Sequence, residues 1–175
     1  MSQGKIILRP ASPNDLSLLL HWEEQPHVKA AGVEDWGWET ELYRNPVWRE
    51  QLIAELDGRP IGYVEIYDPA REDSHYWGDV ADNLMALDIW IGAVADIGKG
   101  YGTRMMEIAL GKCFAPPEVS AVIIDPLQSN TRAHKFYESL GFRFVREQRF
   151  EEYDCYVYEL SREDWALREA GRKNC

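Results

Sequence analysis

Two stretches of this 175-residue chain carry residue types at spacings that can do chemistry. The first is a glycine turn, Gly98-Lys99-Gly100-Tyr101-Gly102-Thr103, which opens an amphipathic run. Glycines ahead of a helix leave backbone N–H groups free and let a phosphate come close, and the helix dipole favours its negative charge. The second stretch begins at Asp125-Pro126 and continues through Asn130-Thr131-Arg132-Ala133-His134-Lys135-Phe136-Tyr137. A tyrosine of ordinary pKa, about 10, is protonated at neutral pH and can donate to a leaving group. Together they point to a phosphate-bearing cofactor beside acid–base chemistry. Each also has a plainer reading: a tight turn, an N-capping Asn130 and a core Tyr137.

Asp88 is the third candidate. It sits in Leu84–Ile91, a run otherwise built of apolar residues, and a carboxylate in such a place needs a partner. It is either a structural ion pair or an amine ligand and base. An aspartate of ordinary pKa about 3.9 is a poor base for an alkylammonium unless burial raises it. Its first task is then to bind and orient the ammonium. Asp125 has the same two readings, with capping near Pro126 as the structural one. Trp77, Glu72 and Asp79 lie in a polar loop and suit the wall of a site for a polycation, or simply a solvated loop.

The elements that must hold these residues follow from periodicity. Lys5–Arg9 reads as a strand, and Ser12-Pro13-Asn14-Asp15 as a helix start with Leu16, Leu19 and Leu20 on one face. Gln25–Trp48 has weak periodicity and accumulates tryptophan, which gives one or two short helices with loops. Gln51–Leu56 and Ile61–Tyr67 form a hairpin about Asp57-Gly58. Leu84–Ile91 is a strand with Leu87, Ile89 and Ile91 on one face, Asp88 and Trp90 on the other. A helix over Gly100–Phe114, a strand over Val119–Ile124 and a helix over Ser129–Leu140 follow. Phe142–Phe150 and Tyr153–Leu160 make a last hairpin before a helix from Ser161 to Glu169, with frayed final residues. This is an α+β arrangement about one mixed sheet, in a single domain over residues 1–175.

The net charge of −11 disfavours nucleic acid as a partner and suits a cationic one, although solubility alone also accounts for it. No apolar run approaches the roughly 20 residues of a membrane helix. The N-terminal residues lack a signal-peptide core. Cys113, Cys155 and Cys175 have no metal-ligand spacing, and His75 and His134 have no paired partner, so no metal is expected. A cytoplasmic location fits the cysteine usage.

This order of elements and motifs resembles the GCN5-related N-acetyltransferase superfamily over nearly the whole chain, most densely from Leu84 to Phe142. The resemblance implies a mostly antiparallel mixed sheet with splayed fourth and fifth strands and flanking helices. It implies acetyl-CoA as cosubstrate, its pyrophosphate on Gly98–Thr103 and its pantetheine beside Ile89, Trp90 and Ile91. Ile97 stands where the family usually has Gln or Arg. Asn130 is then a pantetheine contact, and Tyr137 approaches the thioester sulfur. A narrower resemblance is to aminoglycoside 6'-N-acetyltransferases. It is carried by Gly58-Arg59-Pro60-Ile61-Gly62-Tyr63, Leu87-Asp88-Ile89, the glycine turn, Asp125-Pro126, Ser129–Ala133, Tyr137-Glu138 and Gly141-Phe142. It implies that Asp88 lies beside the acceptor amine and that Asp125 contacts the aminoglycoside. It implies direct transfer in a ternary complex, consistent with motifs that hold no cysteine. Siderophore-type acyltransferases share several of these segments. The alternatives are therefore another acceptor (a siderophore precursor, polyamine or protein N-terminus) or a non-catalytic coenzyme A-binding module. The oligomeric state, monomer or dimer, is left open.

Overall fold

The computed structural model describes residues 4–173. The readings for the first three residues and for fraying at Asn174 and Cys175 lie outside that range. Seven strands take the order β1-β2-β3-β4-β5-β7-β6. They are β1 (Ile6–Pro10), β2 (Arg49–Leu56), β3 (Arg59–Tyr67), β4 (Leu84–Ile91), β5 (Ala121–Ile124), β6 (Arg143–Phe150) and β7 (Tyr153–Ser161). β4 and β5 are parallel over Leu84–Ala86 and Ala121–Ile123, whereas β1–β2, β2–β3, β5–β7 and β6–β7 are antiparallel. The mixed, mostly antiparallel sheet expected from the sequence is present. The chain forms two compact units. One comprises the residues up to Tyr67 with Asp88–Gly111, and the other Asp68–Leu87 with the residues from Lys112 onward.

In the first unit, the β2–β3 turn has φ of 50° at Asp57 and 83° at Gly58. Positive φ at both central positions matches the twist of the flanking strands, which is why Asp-Gly works there. Helix α1 (Leu16–Glu23) is entered through a 3-10 turn, Pro13–Asp15, at the helix start expected there. The Asp15 carboxylate accepts the Ser12 N–H at 2.9 Å and both terminal nitrogens of Arg9, at 2.8 and 2.9 Å. The Arg9 hydrogen bonds hold the Asp15 pKa below the usual carboxylate value. The weakly periodic segment contains the short helices α2 (Pro26–Lys29) and α3 (Trp38–Glu41). Its order comes from packing: Leu19, Trp22, Val28, Val33, Trp38 and Leu42 form one core with Ile53, Tyr63 and Trp90 of the sheet. Large aromatic side chains bury enough area to fix a segment that has little helix propensity. Helix α4 (Tyr101–Cys113) follows the glycine turn.

In the second unit all four residues of β5 are buried, as suits a strand covered on both faces. Helix α5 (Thr131–Ser139) buries His134 and Tyr137. β6 lies at the sheet edge, has a register shift between Phe144 and Arg146, and carries exposed Arg143, Arg146 and Arg149. Charge and irregularity discourage further strand pairing at such an edge. Helix α6 (Arg162–Lys173) runs past the expected end at Glu169. Ser161 caps it by accepting the Asp164 N–H at 3.1 Å. The Arg162 guanidinium donates to the carbonyls of Phe114, Pro116 and Val119, satisfying the loop around Pro116-Pro117. That loop delays the strand expected from Val119 until Ala121.

Candidate active site

In the first unit the glycine turn is built for close approach. Gly98 and Gly100 both have φ of 79°, and a Cβ added at either would meet no atom within 4 Å. The first i→i−4 bond at the start of the helix is Arg104 N–H to the Gly100 carbonyl, at 3.3 Å. The N–H groups ahead of it have no intrahelical acceptor, so they can cradle an anion. The turn is anchored from below. Buried Asp96 accepts Arg59 at 2.7 and 3.0 Å and lies 3.6 Å from the Lys99 ammonium. The hydrogen bonds from Arg59 keep the Asp96 pKa low. Arg59 stands in the quoted hairpin motif, yet its service to the glycine turn was not legible there.

Asp88 is half-buried and shares a face of β4 with Trp90. The Trp90 ring stacks on Tyr63 at 4.5 Å and 29°. Trp36 meets Trp90 edge-on at 4.9 Å, and Trp38 meets Tyr63 edge-on at 5.2 Å. Of the tryptophans before β2, Trp22 and Trp38 are core, while Trp36 and Trp48 are partly exposed. The Tyr63 hydroxyl donates to Glu65 at 2.7 Å. Burial pushes the Tyr63 pKa well above its usual value, and the negative charges of Glu65 and Asp88 add to the rise. Burial likewise raises Glu65. The indole N–H groups of Trp38 and Trp90 are buried without a hydrogen-bond partner among the described residues. Two carboxylates beside aromatic rings attract an alkylammonium. Glu65 was missed in the sequence because alternation marks it only as one more polar residue in a strand. Of the β4 backbone, the Ile91 carbonyl is engaged by the His27 ring at 2.8 Å.

In the second unit Asp125 follows the end of β5. Its Oδ2 accepts the Tyr76 hydroxyl at 2.6 Å. Loss of water pushes the Asp125 pKa from the usual 3.8 up to about 7, with the Tyr76 bond opposing the rise. Asn130 Oδ1 accepts the Ala133 N–H at 3.2 Å, so this side chain does cap α5. Tyr137 is buried, with Phe142 at 5.8 Å and Tyr158 at 6.5 Å. One expectation for the polar loop needs correction, that for Trp77. Trp77 is only 3% exposed and lies edge-on to Phe150 at 5.0 Å, beneath the loop rather than on an open wall. Glu72 accepts the Ser74 N–H and hydroxyl and the Tyr76 N–H, at 2.7, 2.8 and 3.1 Å, so it organises the loop. Asp79 is exposed. Among the described residues no group of three or more His, Cys, Asp or Glu is placed to hold a metal ion. No helix there is long and apolar enough to cross a membrane.

The raised Asp125 pKa has a thermodynamic consequence. Between the unfolded value of 3.8 and the folded value of about 7, the native chain keeps a proton that the unfolded chain has lost. Stability therefore falls as pH rises through that window. Asp125→Asn removes the titrating charge and keeps an acceptor for Tyr76. Thermal melts should give the variant a higher Tm than the parent at about pH 8, with the gain shrinking toward about pH 4. A gain of the same size at both pH values would exclude this carboxyl's titration as the cause.

Fold and residues define an α+β protein with an anion-cradling turn and carboxylates suited to amines. A family model described as an acetyltransferase (GNAT) domain matches residues 12–150. The chain belongs to the GNAT acetyltransferase family. It is 30% identical over 155 residues to the aminoglycoside N(6')-acetyltransferase type 1 of Klebsiella pneumoniae, covering 81% of this chain and 75% of that protein. It is 28% identical over 154 residues to the lysine N-acyltransferase MbtK of Mycobacterium tuberculosis, covering 80% and 70%. Among solved structures, aminoglycoside acetyltransferase AAC(6')-Ib in complex with coenzyme A and kanamycin superposes with a TM-score of 0.84 at 24% identity, covering 94% of this chain and 99% of that one. The fold and enzyme class expected from the residues are those of this family.

Proposed function

We propose that this protein is an aminoglycoside 6'-N-acetyltransferase that uses acetyl-CoA and so confers resistance, acting as one catalytic domain in the cytoplasm. The observation that carries the reading is the 30% identity over 155 residues to an aminoglycoside N(6')-acetyltransferase, a span long enough to take in the glycine turn and both candidate aspartates. The open space above Gly98 and Gly100 fits the phosphates of coenzyme A. Acetyl-CoA, when bound, supplies the acetyl thioester. N–H groups of residues 98–103 hold its pyrophosphate, and Asn130 with the β4 backbone at Ile89 and Trp90 lies along its arm. Asp88 receives the acceptor ammonium, and Asp125 contacts a further polar group of the aminoglycoside. The amine loses a proton, toward Asp88 or water, and its nitrogen forms a bond to the acetyl carbon. The carbon–sulfur bond breaks, the departing sulfur takes a proton from the Tyr137 hydroxyl, and the second proton that nitrogen loses as the amide forms passes through water to restore the Tyr137 phenol. The acidic balance of the chain favours polycations near its surface.

A second reading, transfer to another amine such as a siderophore precursor, has the nearly equal 28% identity to a lysine N-acyltransferase in its favour. Thiol release from acetyl-CoA separates the two. Kanamycin carries a 6'-amine and paromomycin a 6'-hydroxyl. Turnover of kanamycin alone, with the product mapped to the 6' position, is expected. Equal turnover of both places the reaction at another amine. Turnover of neither, beside activity on a lysine-type amine, selects the second reading.

A further inference from the structure

Asp125 has a partner that neither the sequence motifs nor the proposed chemistry uses. Tyr76 comes from the loop between β3 and β4, 49 residues away in sequence, and its hydroxyl reaches the carboxylate at 2.6 Å. The Tyr76 ring is not loose. It stacks on Phe150 with centroids 4.6 Å apart and an 11° tilt, and Phe150 is itself buried at the end of β6. The Tyr76 backbone N–H is held by Glu72 at 3.1 Å. Ring plane and main chain are thus both fixed, which fixes where the hydroxyl points.

We propose that Tyr76 is the positioning residue of Asp125: clamped by Phe150 and Glu72, its hydroxyl orients the carboxylate toward the acceptor and favours its charged form. This rests on the reading in which Asp125 contacts the acceptor. The neighbouring groups leave Tyr76 as the decisive donor. On β7 stands the Cys155 thiol, whose pKa burial pushes up to about 12, with the charges of Asp125 and Asp154 contributing. A thiol so raised stays neutral and supplies no positive charge. Asp154 is paired with Arg149 at 2.9 Å, both of them exposed. In the segment after β5, the Gln128 carbonyl is engaged by His134 at 3.1 Å, and its side-chain amide reaches the Tyr156 hydroxyl at 3.3 Å. Apart from its own backbone, Tyr76 is the group whose hydrogen bond favours charged Asp125 against burial. A carboxylate poised near 7 is where a single hydrogen bond decides its charge under working conditions.

The test is Tyr76→Phe in the full chain, which keeps the ring stack and deletes the hydroxyl. Two readouts are taken: the pH profile of kcat/KM, and the titration midpoint of the Asp125 carboxyl carbon by NMR. The expected result is a midpoint and an acid limb both moved up by about one pH unit, a roughly fivefold loss at pH 7 that is recovered by pH 9. In an Asp125→Asn background, adding Tyr76→Phe should leave the profile unmoved. An unchanged midpoint, or an activity loss equal at every pH, overturns the proposal. A midpoint that moves while no aminoglycoside is turned over supports the positioning role and assigns the failure to the acceptor reading instead.

Discussion

Asp88→Asn is expected to lower kcat/KM for acetyl transfer by about 10²- to 10⁴-fold, the range for losing a positioned acid–base group. The substitution keeps the shape of the side chain and removes its charge. Asp88 shares its β4 face with Trp90, beside a Tyr63 ring whose own ionisation is suppressed partly by the Asp88 charge. In that setting an ammonium loses water and needs a counter-charge, which asparagine cannot provide. Part of the loss should therefore appear in the acceptor KM. The part due to proton removal should narrow as pH rises, because the free amine then forms without help. Steady-state kinetics across pH, with a thermal melt to verify folding, measure both. Full kcat/KM retained in the variant would remove Asp88 from the mechanism and leave it a structural acid.

Gly62→Ala is expected to lower Tm by roughly 2–12 °C, from an overpacking cost of about 1–3 kcal/mol and a shift of about 2–4 °C per kcal/mol at this chain length. A Cβ at Gly62 would run into the Trp90 carbonyl oxygen and would lie 2.7 Å from the Met105 methyl carbon and 3.3 Å from its sulfur. Met105 is fully buried, and a backbone carbonyl cannot turn aside, so the sheet has to deform. Trp90 and Tyr63 flank the contact, and the wall beside Asp88 should be disturbed with it. Gly111→Ala is the control. It is an exposed position in α4 with open space at its Cβ, so it should hold or slightly raise Tm. Equal melting of Gly62→Ala and the parent would mean that this spacing relaxes freely.

What the sequence determined by itself was the set of features governed by local geometry. Asp57-Gly58 dictates its hairpin because both positions need positive φ. Gly98 and Gly100 announce an open turn for the same reason. Strand alternation put Asp88 with Trp90, and helical spacing put Tyr137 inward. Residue type then limited the chemistry: free amides for phosphate, carboxylates for an amine, a phenol for a leaving group. Tertiary structure alone decided which distant residues serve them. Arg59 reaches Asp96 across 37 positions and Tyr76 reaches Asp125 across 49, pairings that depend on sheet order and loop path. The Gln25–Trp48 segment has no period strong enough to read, because aromatic packing against Tyr63 and Trp90 orders it. Trp77 looked like a ligand wall and is buried against Phe150, since a tryptophan in a polar loop shows its size in the sequence but not the side it faces. Backbone dihedrals and periodicity are properties of neighbours in the chain. Burial and long-range hydrogen bonds are properties of neighbours in space, and only the folded sheet makes these residues neighbours.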